Sequence, residues 1–320
     1  MRVLFAGSPE IAVPTLEALA ASSHVVVGVL TNPASTIGRG LKVSDTPIAQ
    51  AAVRLWGDRI PVLRFEALRT EARAAVAACN AEILVSFAYG HLFGPKFMAL
   101  FPRGGINVHP SLLPRWRGSA PIQHAILAMD TETGISIQTI APEMDTGDLV
   151  LVRRIPLTGK ETAGTLSEYC AHAAAPMVVE ALDRIEDGRA VFMSQRGEPI
   201  YCGKISKEDG RIDWTKSSRE LDAQIRAFDP WPGSYTSLRG ARLSILEAEP
   251  MDENMLLEKD EHVTNLAPGT IIAVSASKGI VVATGRGFLA IKHLQLATRK
   301  SMGAYEFANG VRGLVGAVLS

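Results

Sequence analysis

Arg2–Thr31 reads RVLFAGSPEIAVPTLEALAASSHVVVGVLT, and its strand–helix–strand rhythm decides the fold. Arg2–Gly7 is a short apolar run that stops at a glycine. The next segment has helical spacing at Ile11, Thr15, Leu16 and Leu19, with Ser8 as the expected cap and Pro9 at the first helical position. His24–Thr31 is a second apolar run, fit for a strand buried on both faces. Two such strands joined by a helix imply a parallel sheet with right-handed crossovers.

The same alternation continues outward. After a loop from Asn32 to Asp45, helices are expected in TPIAQAAVRLWG and TEARAAVAACN, and buried strands in AEILVSFAYG and GINVH. APIQHAILAMD reads as a helix, and GISIQTIAP and DLVLVRRIPL as strands. A long helix over 162–186 follows, with Pro176 expected to kink or divide it before Gly188. Past that glycine the pattern changes. A polar, turn-rich stretch leads to one clear helix, SSRELDAQIRAFD, and then to short strands punctuated by glycines, the signature of a small antiparallel barrel. The expected organisation is an α/β catalytic domain over 1–188, a linker over 189–205 and a β-rich domain over 206–320.

Composition narrows the function classes. The 320 residues are 47% hydrophobic, 21% charged and 6% aromatic, ample for about two domains with real cores. Lys plus Arg equals Asp plus Glu at 33 each, so a polyanionic partner would have to be met by a local patch. Cys79, Cys170 and Cys202 are scattered without metal spacing, as reduced thiols of a cytoplasmic protein would be. The first apolar run is too short for a signal peptide, and no run approaches the roughly 20 residues of a membrane span. GSPE after the first strand is no dinucleotide fingerprint, and no acidic residue ends the second strand.

Chemistry concentrates in GINVHPSLLPRWRGSAP, Gly105–Pro121. Residues two apart on a strand share a face, so Asn107 and His109 project together at a carboxyl end, where open α/β sheets bind ligands. From spacing alone they cap a strand and turn, or they serve a site. PEMDTGDLV adds Asp145 in a tight turn before another strand. An amide for a developing oxyanion, an imidazole for a proton and a carboxylate to orient the imidazole suit acyl transfer. No GxSxG elbow is present, and Ser111 has no evident base, which favours direct transfer between two substrates.

The stretches AYGHLF, NVHPSLLPRWRGSAPIQHAI, MDTGD and RIDW…IRAFDPWPGSY, in this order, resemble the methionyl-tRNA formyltransferases nearly end to end. The Asn-x-His and Asp-Thr-Gly core is shared with other 10-formyltetrahydrofolate enzymes. SLLPRWRGSAPIQ, the GRG loop and the single appended β domain tilt toward the tRNA enzymes. The resemblance implies a Rossmann-like formyltransferase domain followed by a small OB-like barrel that binds tRNA. It implies a catalytic set of Asn107, His109 and Asp145, and no metal. Folate would lie on Ser111, Leu112, Leu113 and Pro114, helped by Ala88, Tyr89 and Gly90. The initiator methionyl-tRNA acceptor stem would meet Arg39 and Lys42 in the loop after the second strand, and Lys204 and Lys207 in the linker.

The charge pattern adds a further basic stretch. Lys278–Arg312 holds Lys278, Arg286, Lys292, Arg299, Lys300 and Arg312 against Glu306, whereas Met251–Glu261 is acidic. A basic face on a small β domain fits an RNA partner, with Lys292, Arg299 and Lys300 as its contacts. Arg115 and Arg117 flank Trp116 and either bind anions or brace the loop. The expected protein is a monomer, and formyl transfer to an aminosugar nucleotide or another small amine is the alternative activity.

Overall fold

The computed structural model describes residues 1–37, 42–251 and 266–320. The chain divides into two compact units. The first comprises Met1–Pro121, Glu132–Pro156 and Leu166–Gly203; the second comprises Ile122–Thr131, Leu157–Thr165 and Lys204–Ser320.

The first unit is built on a seven-stranded sheet. In chain order its elements are β1 (Arg2–Gly7), α1 (Val13–Ala20), β2 (Val25–Thr31), the small hairpin β3 (Ser35–Ile37) and β4 (Lys42–Ser44), and α2 (Pro47–Trp56). There follow β5 (Val62–Arg64), α3 (Thr70–Ala78), β6 (Ile83–Phe87), α4 (Pro95–Met98), β7 (Gly105–His109), β8 (Arg117–Gly118), β9 (Glu132–Thr139), β10 (Leu149–Pro156), α6 (Ala163–Glu186) and β11 (Tyr201–Cys202), while α5 (Pro121–Leu127), between β8 and β9, belongs from Ile122 on to the second unit. The sheet order is β10-β9-β7-β6-β1-β2-β5. Strands β5, β2, β1, β6 and β7 are parallel, and β9 and β10 add antiparallel. Sheet growth reverses direction between β1 and β6, so loops after those strands, and after neighbouring β7, crowd one end. The core reflects the apolar runs: Val3–Ala6 and Ile83–Val85 have no exposed surface.

Three local expectations change. Ser8 does not cap α1. Its hydroxyl joins Thr31 Oγ1 at 3.3 Å and accepts Asn32 N–H at 3.1 Å, tying the ends of β1 and β2 together. Pro9 instead precedes a single 3₁₀ turn over Glu10–Ala12, and α1 starts at Val13. Helix α6 runs as one element through Pro176, which lies on its exposed face, so the proline does not divide it.

The second unit carries α7 (Ser218–Ala227), β12 (Ser234–Leu238), β13 (Ala241–Met251), β14 (Ile271–Ser275), β15 (Gly279–Ala283), β16 (Phe288–Leu296), β17 (Met302–Gly303) and α8 (Ala304–Asn309). Helix α7 begins with a complete capping box between Ser217 and Glu220. Strands β12-β13-β16-β15-β14 form an antiparallel sheet, with β17 paired to β16. Its edges, β12 and β14, are not paired with each other. The final residues hydrogen bond to both: Ser320 exchanges bonds with Ser237, and Leu319 and Gly316 donate to Gly269 and Ile271. A second helix, α8, joins the one expected here. Six residues with Ala304 and Phe307 buried are too short for helical periodicity to stand out. Trp214, Leu221, Ile225, Leu289, Ile291 and Phe307 share the unit's core. No helix among the described residues is long and apolar enough to cross a membrane.

Candidate active site

Strand β7 brings Asn107 and His109 to one face of the sheet, as period two requires. Their antiparallel partners on β9 are Gln138 opposite Asn107 and Ser136 opposite His109. The four side chains therefore share that face. His109 is 4% exposed. Its Nε2 lies 2.8 Å from the Trp116 carbonyl oxygen. A carbonyl only accepts, so Nε2 carries the proton and Nδ1 is the nitrogen left to exchange one. Nδ1 sits 3.5 Å from Asp145 Oδ1, too long for a good hydrogen bond and short enough for strong charge coupling. The imidazole is thus oriented by Trp116, and the carboxylate supplies charge at its working nitrogen. The expected division of labour placed both tasks on Asp145.

Burial holds the His109 imidazole below the ordinary histidine range; Asp145 and the Trp116 carbonyl pull the other way, and Arg117 adds to the depression. The resting group is a neutral base. Asn107 is half-buried, and among the described residues nothing hydrogen bonds to its amide. Its two N–H donors remain available at the strand end.

Asp145 is held from both sides of the turn. Oδ1 accepts Gln138 Nε2 and Oδ2 accepts the Gly118 N–H, each at 2.9 Å. Its backbone is left-handed at φ 55°, unusual for a residue with a Cβ. Gly147 makes the turn possible, since a Cβ there would fall 1.8 Å from the Thr139 carbonyl oxygen. Gly118 does the same for β8, where a Cβ would lie 2.1 Å from the Cys202 carbonyl oxygen. The stretch expected to be a linker closes this side of the site. Met193 exchanges backbone hydrogen bonds with Leu149, and β11 pairs in parallel with β8. Gln195 Nε2 donates to the carbonyls of Asp145 and Gly147, both at 2.9 Å.

Other expected contacts fall unevenly. Ser111 is fully buried, and its hydroxyl donates to the Arg115 carbonyl at 2.6 Å. Ser136 Oγ donates to Ser111 O and accepts the Leu113 N–H, fixing the SLLP segment against β9. Leu113 is buried, while Leu112 and Pro114 keep part of their surface. Ala88 and Gly90 are exposed beyond β6, but the Tyr89 ring belongs to the core, stacked on Phe93 at 5.6 Å between ring centroids. Burial pushes the Tyr89 phenol up to about 12. Arg117 braces rather than waits for an anion: Nε and Nη2 donate to Gln195 Oε1, and Nη1 to the Tyr201 hydroxyl. Arg115 lies over the Trp116 ring at 4.5 Å.

Among the expected basic contacts, Lys204, Lys207, Arg299 and Lys300 are exposed. Lys292 is committed to Glu249 at 3.1 Å and to the Ser277 carbonyl. Arg39 lies outside the described residues, and Lys42 begins β4. One group of side chains with metal-ligand spacing occurs among the described residues, His24, Asp183 and Glu186. It lies where β1 and β2 begin, at the opposite end of the sheet from His109.

Gln138, Gln195 and the Gly118 amide were not foreseen. Gln138 had a signal, being two positions after Ser136 on a strand that pairs with β7; Gln195 had none.

The formyl transferase family pattern matches residues 1–182, and the formyl transferase C-terminal domain pattern matches 204–312. The chain is 41% identical over 316 residues to a methionyl-tRNA formyltransferase of Treponema denticola, covering 97% of both proteins. It belongs to the methionyl-tRNA formyltransferase family. A relative of the same name from Thiobacillus denitrificans is 41% identical over 312 residues, covering 97% of this chain and 96% of its own. Among solved structures, a methionyl-tRNA formyltransferase from Clostridium thermocellum matches with a TM-score of 0.54 at 16% identity, covering 78% of this chain and 93% of that one. An N-formyltransferase from Helicobacter canadensis matches at 0.62 and 18%, covering 93% and 99%. At such identities the structural matches establish shared architecture alone. Membership of the family makes the chain a formyltransferase, with an α/β catalytic half and a mostly antiparallel C-terminal half.

Proposed function

We propose that this enzyme transfers the formyl group of 10-formyltetrahydrofolate to the α-amino group of methionyl-initiator tRNA. The observation that carries the proposal is the unpartnered Asn107 amide beside a neutral, buried His109 and Asp145, in a chain 41% identical to methionyl-tRNA formyltransferases over nearly its whole length.

The residues divide the reaction as follows. The amine attacks the formyl carbon, and the Asn107 amide donates to the oxygen as it gains charge. Removing one such donor typically costs about 10²–10³ in rate. His109 Nδ1 takes the proton released by the amine, and Asp145 stabilises the imidazolium that results. As the carbon–N10 bond breaks, the imidazolium returns that proton to the leaving nitrogen. The new carbon–nitrogen bond replaces the old one, with no oxidation change and no need for a metal.

Folate binding falls to the backbone and exposed parts of Ser111–Pro114 and Ala88–Gly90. The tRNA acceptor stem falls to Arg39, Lys42, Lys204, Lys207, Arg299 and Lys300, with Lys292 available once its ion pair opens. Phosphate contacts of this kind make affinity fall with salt. The enzyme acts as a cytoplasmic monomer. The test supplies the purified protein and 10-formyltetrahydrofolate with aminoacylated initiator tRNA or with aminosugar nucleotides in parallel. N-formylmethionyl-tRNA is the expected product. Formylation of the sugar amine without formylation of the tRNA overturns the proposal.

A further inference from the structure

Asp145 occupies a backbone conformation that side-chain-bearing residues rarely enter, so its surroundings must over-determine it. Gln138 and Gly118 hold the carboxylate, but neither fixes the peptide that carries it. That task falls to a residue about 50 positions away in sequence. Gln195 Nε2 bridges the turn by donating to the carbonyls of Asp145 and Gly147, at 2.9 Å each, with Gln138 Oε1 a weaker third contact at 3.3 Å. Its Oε1 accepts Arg117 Nε at 3.1 Å and Nη2 at 2.7 Å. Both donors and both acceptor positions of the amide are therefore occupied. Gln195 has nothing left to offer a substrate.

We propose that Gln195 is a positioning residue for catalysis, which sets the His109–Asp145 separation through the main chain of the Asp-Thr-Gly turn, and that Arg117 fixes the Gln195 amide in turn. The inference rests on the formyl-transfer reading for its kinetic consequences alone, because the geometry it describes is present without substrate. Arg117 thus connects β8, which supplies the Gly118 N–H to the carboxylate, with Gln195, which supplies the peptide anchor. Both sides of Asp145 are held by one rigid frame. Misplacing a catalytic group by about 1 Å can cost about 10²-fold in rate.

The test uses two variants of the full chain. Gln195→Met removes donors and acceptors at similar length; Gln195→Glu keeps the acceptors for Arg117 and removes both donors to the turn. Each is read by steady-state formyl transfer and by an NMR titration of the His109 ring. The charged groups acting on that ring are Asp145 from the turn after β9 and Arg117 from β8, and the Cys202 thiol from β11 shares the Trp116 carbonyl with it. Expected for both variants is a kcat lower by about 10-fold to 100-fold, with KM for either substrate changed by less than about threefold. In Gln195→Met the ring titrates at lower pH than in the unaltered enzyme, because a displaced carboxylate favours the imidazolium less. A kcat within about twofold in either folded variant, or an unmoved His109 titration in Gln195→Met, overturns the proposal and leaves Gln195 a packing residue. If the unaltered enzyme fails to formylate methionyl-tRNA, the functional reading falls, and the titration still decides the role of Gln195.

Discussion

Replacing Asp145 by asparagine removes one charge while keeping the side-chain shape, and the structure sets the size of the loss. A full imidazolium on His109, 3.5 Å from Oδ1, is worth about 5 kcal/mol at an effective dielectric constant near 20. If about half the proton has transferred in the transition state, the loss is about 2.4 kcal/mol, or about 50-fold in rate; complete transfer raises it to about 3 × 10³-fold. A second effect adds to this. Gln138 Nε2 and the Gly118 N–H each point at one carboxylate oxygen from 2.9 Å, and asparagine accepts only one of them. The other donor faces an amide N–H₂, which costs about 1–3 kcal/mol of stability. The assay is single-turnover formyl transfer at saturating 10-formyltetrahydrofolate, followed across pH. Asp145 raises the His109 pKa, so its neutralisation lowers it, and the acid limb moves to lower pH. A rate within about threefold of the unaltered enzyme, or an acid limb that moves upward, refutes the charge-coupling argument.

Other expectations follow from single features. In the unaltered enzyme, burial depresses the His109 pKa, so the acid limb of kcat/KM lies below about 6.5 and activity rises as pH climbs through it. The unfolded chain then binds the extra proton more readily than the folded one. His109's contribution to stability is complete above about pH 6.5 and is lost as pH falls toward the folded value, which denaturant unfolding at a series of pH values measures. Gly147→Ala drives a Cβ into the Thr139 carbonyl; overpacking of this kind costs about 1–3 kcal/mol, and both thermal stability and formyl transfer should fall. Ser217→Ala breaks the capping box of α7 and should cost about 1 kcal/mol by denaturant unfolding, with formyl transfer at the catalytic unit unchanged.

The strands of the first unit were legible because burial on both faces writes continuous apolar runs such as Val3–Ala6 and Ile83–Phe87. Asn107 and His109 were legible as a pair because strand period is invariant to packing detail. The support for Asp145 was not. Gln195 acts on residues 145 and 147 through hydrogen bonds between distant segments, which leave no local periodicity, and its polar, turn-rich neighbourhood reads as a linker. Tyr89 shows the converse limit: an aromatic residue just past a strand end suits a ligand or a core equally, and here Phe93 and the core claim its ring. Ser8 failed as a helix cap because Thr31 and Asn32, brought alongside by strand pairing, compete for its hydroxyl.

The central claim is that Asn107, His109 and Asp145 converge on one formyl carbon. A structure of the enzyme bound to a non-transferable 10-formyltetrahydrofolate analogue tests it most directly. The formyl oxygen should lie about 2.7–3.1 Å from Asn107 Nδ2, with His109 Nδ1 facing the side from which an amine attacks. A formyl group seated away from β7, with the Asn107 amide unengaged, would contradict it.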